Sequence, residues 1–452
     1  MLRLALAFAL LMVPSASTTD AVAPDSASAA GDWWQGANVT GDWFGARSGI
    51  EQAGLTPWAE YTGEYWRDTT GGLMVGEAYM HLFQFGVDWC PEPLIPGWRG
   101  AQFRFSGIQA HQTRSVTGTL VGDLNGVSNL EAPNGFRLYE TWLQQSFADG
   151  RWTVQLGNLL VDESFAATEF GALLLNGGFG WSQFMAANTR RLVPAYPFPA
   201  PGIRVEWQPT TTTYLQVGAY DGDALDNADG ELSGNPDGIH FHLGGSQGVF
   251  AIAECGYRLN QAPDDTGPPG IYRLGASYQS GPFDDLYYDD YGESFVVSGR
   301  PPRTFEGDVL AYLAVDQTLW REEPGADDAQ GLGAFIRLGA GAADRNPFNL
   351  VVDGGLHYQG LLPGRDDDAL ALGCIYVAAS EDRRRQERDD RDFNGVPITH
   401  LSDYELVLEL TYAAWITPWW YVQPDVQWVA HPGGSAANED AWIIGLRTGL
   451  TF

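Results

Sequence analysis

The sequence predicts an all-β chain, a transmembrane antiparallel β-barrel of about 16 strands, on three observations. Apolar and polar side chains alternate from residue 55 onward, and Trp and Tyr gather near the ends of the alternating stretches. The last such stretch closes on Phe452, the final residue.

Ahead of the barrel, Arg3 precedes the apolar run Leu4 to Val13, and Pro14 and a Ser/Ala-rich stretch continue to Ala30. This is the layout of a secretory signal peptide, with cleavage expected between 17 and 30. The chain then divides into a leader and spacer (1–30), an N-terminal periplasmic segment (31–54) and the barrel (55–452). Past residue 13 no run reaches the roughly 20 apolar residues that a helical span needs.

In Ala101 to Ile108, Phe103 and Phe105 share one face while Gln102, Arg104 and Ser106 take the other. Trp152, Val154 and Leu156 oppose Thr153 and Gln155, and Ile203, Val205 and Trp207 oppose Arg204, Glu206 and Gln208. Tyr272, Leu274 and Tyr278 oppose Arg273 and Ser277, and Tyr404, Leu406, Leu408 and Leu410 oppose Glu405 and Glu409. In the last stretch Trp442, Ile444, Leu446, Leu450 and Phe452 share a face opposite Arg447. A period of two excludes helix at these places. From Phe136 to Phe147 both faces carry aromatics, and the phase is open.

Counting gives seventeen candidate strands, an odd number that would leave the termini on opposite sides of the membrane. Taking 239–259 as one strand with an extension above the membrane gives sixteen, and connections then alternate short and long. The short ones, 148–151, 208–212 and 416–419, are expected in the periplasm; the long ones, 113–135, 160–200, 280–304 and 380–402, outside. A soluble β-sandwich alternates too. Aromatics near strand ends, among them Tyr61, Tyr65, Trp66, Trp89, Trp98, Trp415, Trp419 and Trp420, favour a membrane girdle.

With 25 basic and 57 acidic residues the formal net charge is −32, and every basic residue is Arg. Such a chain argues against nucleic acid as a partner, because a phosphate backbone must meet a basic surface. Acidic outer loops suit divalent cations bridging to anionic lipopolysaccharide. Cys90, Cys255 and Cys374 are odd in number and far apart, without metal spacing or a disulfide framework, and read as small hydrophobes.

Residues 40–63, TGDWFGARSGIEQAGLTPWAEYTG, resemble the opening of the OprB-type carbohydrate-selective porins of the Gram-negative outer membrane. So do 136–166, FRLYETWLQQSFADGRWTVQLGNLLVDESFA, with APGIRV at 200–205, and 408–434, LELTYAAWITPWWYVQPDVQWVAHPGG, with the closing GLRTGLTF. The loops 113–135, 221–238, 281–304 and 381–402 carry none of it, and Phe44 stands where the family usually has glycine. The resemblance implies a sixteen-stranded outer-membrane channel for diffusion of sugars, often glucose-like. It also implies a short helix after Gly41-Asp42-Trp43, from about Phe44 to Ala53, with Gly54 as its stop signal. A short helix there is expected to pack across the periplasmic mouth. The terminal Phe resembles the signal read by the outer-membrane assembly machinery.

The alternation turns Arg104, Arg204, Glu206, Arg273, Arg337, Asp353, Glu405, Glu409, Asp425 and Arg447 toward the lumen, with Gln155, Gln208, Gln423 and Gln427. Sugar hydroxyls both donate and accept, so a wall of Arg, carboxylate and amide suits neutral sugars better than a single-sign ring. The resemblance adds Glu140 as an inward residue, and Arg137 lies near the start of that strand. In the loop 160–200, Phe179 and Trp181 could stack on a sugar ring; otherwise Phe165, Phe179, Trp181 and Phe184 pack the loop onto the wall.

Other signals reduce to surface chemistry. The acidic stretch Asp221 to Glu231 lacks the spacing of a calcium loop, and Asp284, Asp285, Asp289 and Asp290 lack the rigid support that catalytic acids need. His240 and His242 have no third ligand, and Arg383 to Arg391 mixes signs as a mobile loop does. No cofactor, metal or catalytic fingerprint occurs. The expectation is passive diffusion of neutral sugars through a monomer or homotrimer. The alternatives are a secreted carbohydrate-active β-sandwich enzyme and a plugged structural or adhesive barrel.

Overall fold

The computed structural model describes residues 33–225, 235–241, 247–261, 265–322 and 330–452, so the leader 1–30 lies outside the described residues. Sixteen strands form the wall: β1 Leu55–Gly72, β2 Gly76–Trp89, β3 Ala101–Gln112, β4 Gly135–Phe147, β5 Trp152–Leu159, β6 Ala200–Trp207, β7 Thr213–Asp221 and β8 Val249–Leu259. The second half comprises β9 Gly270–Asp289, β10 Pro302–Arg321, β11 Gly331–Gly341, β12 Leu350–Gln359, β13 Ala369–Ala378, β14 Tyr404–Thr417, β15 Trp420–Ala430 and β16 Glu439–Thr451. Each strand pairs with its sequence neighbours, and β1 meets β16 to close the ring. A closed ring leaves no unpaired strand edge to face lipid, and it rules out the two-sheet sandwich.

The outward faces are apolar. Leu156, Leu274, Val309, Leu372, Leu408 and Ile444 are exposed on the wall. Ring pairs flank them: Trp152 on Trp207 and Trp89 on Phe103 toward the short turns, Tyr376 on Tyr404 and Trp428 beside Trp442 toward the long connections. Trp66 departs from the girdle expected of it: it points inward, fully buried, and its indole N–H donates to Glu64.

Four departures from the sequence pattern have local causes. The strand expected over 239–259 begins only at Val249; Ile239 to Phe241 are not in a strand, and 242–246 lie outside the described residues. The long loop expected over 280–304 is largely a hairpin standing above the wall, in which Phe305 pairs with Phe283 and Thr304 with Asp284. Its acidic tip hid the continuing strands. The charge run after Ser380 is a helix, Glu381–Phe393: the Ser380 side chain caps the Arg383 N–H, and Arg383–Glu387 and Arg385–Glu381 pair one turn apart. It shows no apolar stripe, so periodicity could not find it. Finally, β4 carries a bulge: Phe105 pairs with Thr141, but Gly107 already pairs with Leu138. Tyr139 and Glu140 are both buried, so the inward set switches from odd (Arg137, Tyr139) to even (Glu140, Trp142). This is the stretch whose phase the sequence left open.

At the N-terminus, a helical turn Trp43–Gly45 leads into α1, Ala46–Gln52, which is shorter than expected. Gly54, at φ +82, ends it; a Cβ there would lie 2.0 Å from the Cys90 carbonyl oxygen, so only glycine fits. α1 is tied to the rim at the ring's seam. The buried Arg47 donates to the carbonyls of Pro57 (3.1 Å) and Phe452 (2.9 Å) and lies over the Trp43 ring, 5.0 Å from its centroid. Val39 N–H donates to Thr451 O at 2.8 Å. Charge-assisted hydrogen bonds contribute roughly 1.5–3 kcal/mol each. Arg47→Ala is therefore expected to destabilise the closed barrel by about 2 kcal/mol, read as an earlier loss of the compact, heat-modifiable gel band. An unchanged transition would remove Arg47 from the seam.

Candidate substrate channel

Alternation points the polar faces into the barrel, but the lumen is not evenly lined. Two long connections, 113–134 and 160–199, fold into it and bury Val116, Leu120, Val121 and Val127 from the first, and Phe165, Leu174, Phe179, Phe184 and Met185 from the second. Irregular backbone brought into an enclosed lumen carries N–H and C=O groups that must find partners. The wall supplies them.

Arg337 shows how. Its Nε donates to Asp353 (3.0 Å), one amino group to the carbonyls of Ala166 (2.7 Å) and Gly180 (2.9 Å), the other to those of Gly178 (2.7 Å) and Phe179 (3.0 Å). All five guanidinium donors are taken, and the side chain has no exposure to solvent. Glu405 accepts the backbone N–H groups of Leu124 (2.7 Å), Asn125 (3.2 Å) and Gly433 (2.8 Å), plus the Asn125 side chain. Glu409 accepts those of Leu175 and Asn176, and Gln427 bridges the two segments, donating to Val127 O and accepting from Asn176. Arg273 pairs with Asp316 at 2.6 Å, and Asp316 also accepts the Phe170 N–H at 3.0 Å. Arg137, over the Phe198 ring, donates to Pro197 O and Pro236 O.

Thus Arg137, Arg273, Arg337, Glu405 and Glu409 turn inward but lie sealed against the inserted segments, where a water-facing position was expected. Phe179 is likewise buried, edge-on to Phe335 at 5.9 Å, and Trp181 packs against the same core. These aromatics fix the loop to the wall. No sugar could stack on Phe179 as placed.

Among the inward residues, Gln155 on β5, Arg204 and Glu206 on β6 and Gln208 after it keep partial access to solvent. Arg204 is part-exposed; it donates to Gln155 (3.2 Å), Glu206 (3.1 Å) and Gln216 (3.1 Å), and Gln208 donates to Glu206 at 2.6 Å. Arg104 makes two 2.8 Å bonds to Asp88 and one of 3.1 Å to Glu140, flanked by Trp58 and Trp142 at 5.5 and 5.3 Å. Arg447 pairs with Glu64 and reaches Asn129 of the first inserted segment, and Asp425, largely buried, accepts from Gln427 at 3.1 Å. The second segment also contributes Asp162 and Glu163. Burial pushes the Asp162 carboxyl up to about 6, against the opposing hydrogen bond from the Tyr196 N–H. Burial also holds Glu163 well above the usual carboxylate range, with the Glu140 charge adding and Arg104 opposing.

Sequence reasoning missed Glu64, Asp88, Glu254 and Asp316. Glu254 accepts from Tyr214 (2.7 Å), Tyr312 (2.7 Å), Gln216 (2.9 Å) and the Ala166 N–H (3.1 Å). Its strand is apolar on both faces, Phe250 and Ile252 inward, Ala251 and Ala253 outward, so no alternation marks it. Asp88 could have been found as the strand end opposite Arg104. His240 is exposed, His242 and Asp226 to Glu231 lie outside the described residues, and no three potential ligands gather among the described ones. Cys90 and Cys255 are exposed and Cys374 part-buried, all as free thiols.

A family model described as the carbohydrate-selective porin, OprB family, matches residues 76–452. Porin B of Pseudomonas aeruginosa is 25% identical over 432 residues, covering 92% of this chain and 91% of that protein. The putative porin QuiX of Acinetobacter baylyi is 23% identical over 450 residues, covering 94% and 95%. The fold is similar to the high-pH structure of Pseudomonas putida OprB, with a TM-score of 0.81 at 22% identity over 92% of this chain and 99% of that one.

Removing the buried guanidinium tests the anchoring. Arg337→Met removes the counter-ion of Asp353, which keeps only the Ser182 hydroxyl, and the donors of four carbonyls, a loss of about 3 kcal/mol by analogy with broken buried pairs. The expected result in planar bilayers is a folded barrel with higher, noisier single-channel conductance. Quiet conductance at the parental level would show that the segment holds without Arg337.

Proposed function

The chain belongs to the OprB family of carbohydrate-selective porins, and on that premise we propose that neutral, glucose-like sugars cross along the part-exposed inward residues of β5 and β6. The family is one of transport channels, and the closed sixteen-strand ring fits an outer-membrane barrel that carries carbohydrate passively. The observation that carries the route is a contrast in exposure among the inward residues. Arg204, Glu206 and Gln155 keep access to solvent, whereas Arg337, Glu405 and Glu409 do not.

A sugar hydroxyl leaving water needs donor and acceptor together. Arg204 donates and Glu206 accepts within one ladder, with the part-exposed Gln155 able to do either. Behind this wall Arg104 and Glu140 are buried as an ion pair, and beside them Asp88 and Trp58 are part-exposed, an acceptor and an apolar face. Arg447 and Asp425 extend the polar wall, and Trp181, within the inserted segment 160–199, packs against the core beside it. This arrangement favours neutral monosaccharides and short oligosaccharides over sugar phosphates. The rest of the reading is a leader within 1–30 removed on export, Phe452 as the assembly signal, lipid and lipopolysaccharide around the wall, and a monomer or homotrimer.

Liposome swelling tests the route: glucose and a disaccharide are expected to cross faster than a charged solute of equal size, and no swelling at all would favour the plugged barrel. Arg204→Ala is expected to weaken sugar block of ion current several-fold; an unchanged block constant would take Arg204 off the path. The ionisation of Asp162 near pH 6 gives a third check. Cation preference should rise as pH increases through that value, and Asp162→Asn should flatten the rise.

A further inference from the structure

The described chain begins with two tryptophans outside the barrel. Trp33 and Trp34 are each about half exposed. Both rings lie on Trp419, in the turn between β14 and β15, with centroids 4.5 and 5.9 Å away. Trp419 in turn stacks on Trp420 at 6.5 Å, and its indole N–H donates to Trp33 O. Trp420 belongs to the outer wall: its indole N–H donates to the Thr448 hydroxyl, and both lie on the outward face. The four rings therefore form one continuous run from the lipid-facing girdle onto the N-terminal segment.

A second feature lies a few residues on. Phe44 sits at φ 60, in the left-handed region that a bulky side chain avoids, and its side chain is fully exposed. Trp43 before it is also left-handed, at φ 50, but Arg47 covers its ring. Among the described residues Phe44 has no such contact. Ile50 on α1 is exposed as well, and Arg47 is the only buried residue of that helix. A strained, bare aromatic beside the Arg47 anchor implies a contact beyond the described residues, and the adjoining girdle says which. Tryptophan and phenylalanine at the level of lipid headgroups are at home there, with one part apolar and the other wet.

We propose that the segment Trp33–Gln52 is an interfacial foot, whose Trp33, Trp34 and Phe44 side chains insert into the headgroup layer of the periplasmic leaflet beside the β14–β15 turn and the β1–β16 seam. The occupant of this surface is phospholipid. The foot rests on the outer-membrane reading but not on the sugar route. It widens the anchoring ring at one sector and holds the seam at a fixed height.

Site-directed spin labels measure this directly. In protein with Cys90, Cys255 and Cys374 replaced by Ala, single cysteines replace Trp34, Phe44 or, as an exposed control on α1, Gln52. The labelled barrels are reconstituted in phosphatidylethanolamine–phosphatidylglycerol vesicles. At positions 34 and 44 the label is expected to collide several-fold more with oxygen, relative to a water-soluble nickel chelate, than at 52. Equal nickel accessibility at all three would overturn the foot. Shielding that appears only at high protein density would assign the surface to another copy of the chain and overturn it too. If the labels disturb the segment, the unlabelled Trp33→Phe/Trp34→Phe variant serves: brominated lipid should quench less tryptophan fluorescence than in the parent, and equal quenching counts against the proposal. Sugar conductance of these variants stays at the parental level, so loss of the foot and loss of the channel are separate results.

Discussion

A strand in hydrocarbon can offer its N–H and C=O groups only to other strands, and nearly every feature of this protein follows from that need. It forces the ring shut, so β1 must find β16 across the whole length of the chain; Glu64 lies opposite Arg447 at that junction. The same junction gathers the remaining closing contacts: Arg47 reaches the last carbonyl, and Val39 and Phe452 donate to the terminal strands. The last strand to be made is thus held by residues that precede the first.

The same need returns inside the barrel. Segments 113–134 and 160–199 enter with their own backbone groups, and no neighbouring strand pairs with them. Charged side chains of the wall stand in for one. Arg337 replaces four donors that a sheet would have supplied, and Glu405 and Glu409 accept four backbone N–H groups of these segments between them. Charges that resemble a selectivity apparatus therefore serve as scaffolding on one side. Arg204 and Glu206, by contrast, hydrogen-bond other side chains of the wall and no inserted backbone.

Legibility varied with how much of this a strand had to do. β6, β14 and β16 could be read because one face is apolar and the other polar, and the inward assignment of Arg204, Glu405 and Arg447 follows from parity alone. β4 could not, because its bulge places Tyr139 and Glu140 both inside and shifts the phase midway. Glu254 was invisible on a strand apolar on both faces. The helix Glu381–Phe393 is held by capping and ion pairs, with no stripe to reveal it.

The order of apolar and polar residues, by itself, determined the strand character of most of the chain and, where one face is polar, as on β6, β14 and β16, which side chains turn inward, because a period of two is a property of the local backbone. Which of those inward residues meet water was decided only by tertiary structure. Residues far apart along the chain, such as Arg337 and Ala166 or Glu405 and Asn125, share hydrogen bonds only after the connections have folded in. No local pattern records which loop enters the ring or which carbonyl an arginine will find there.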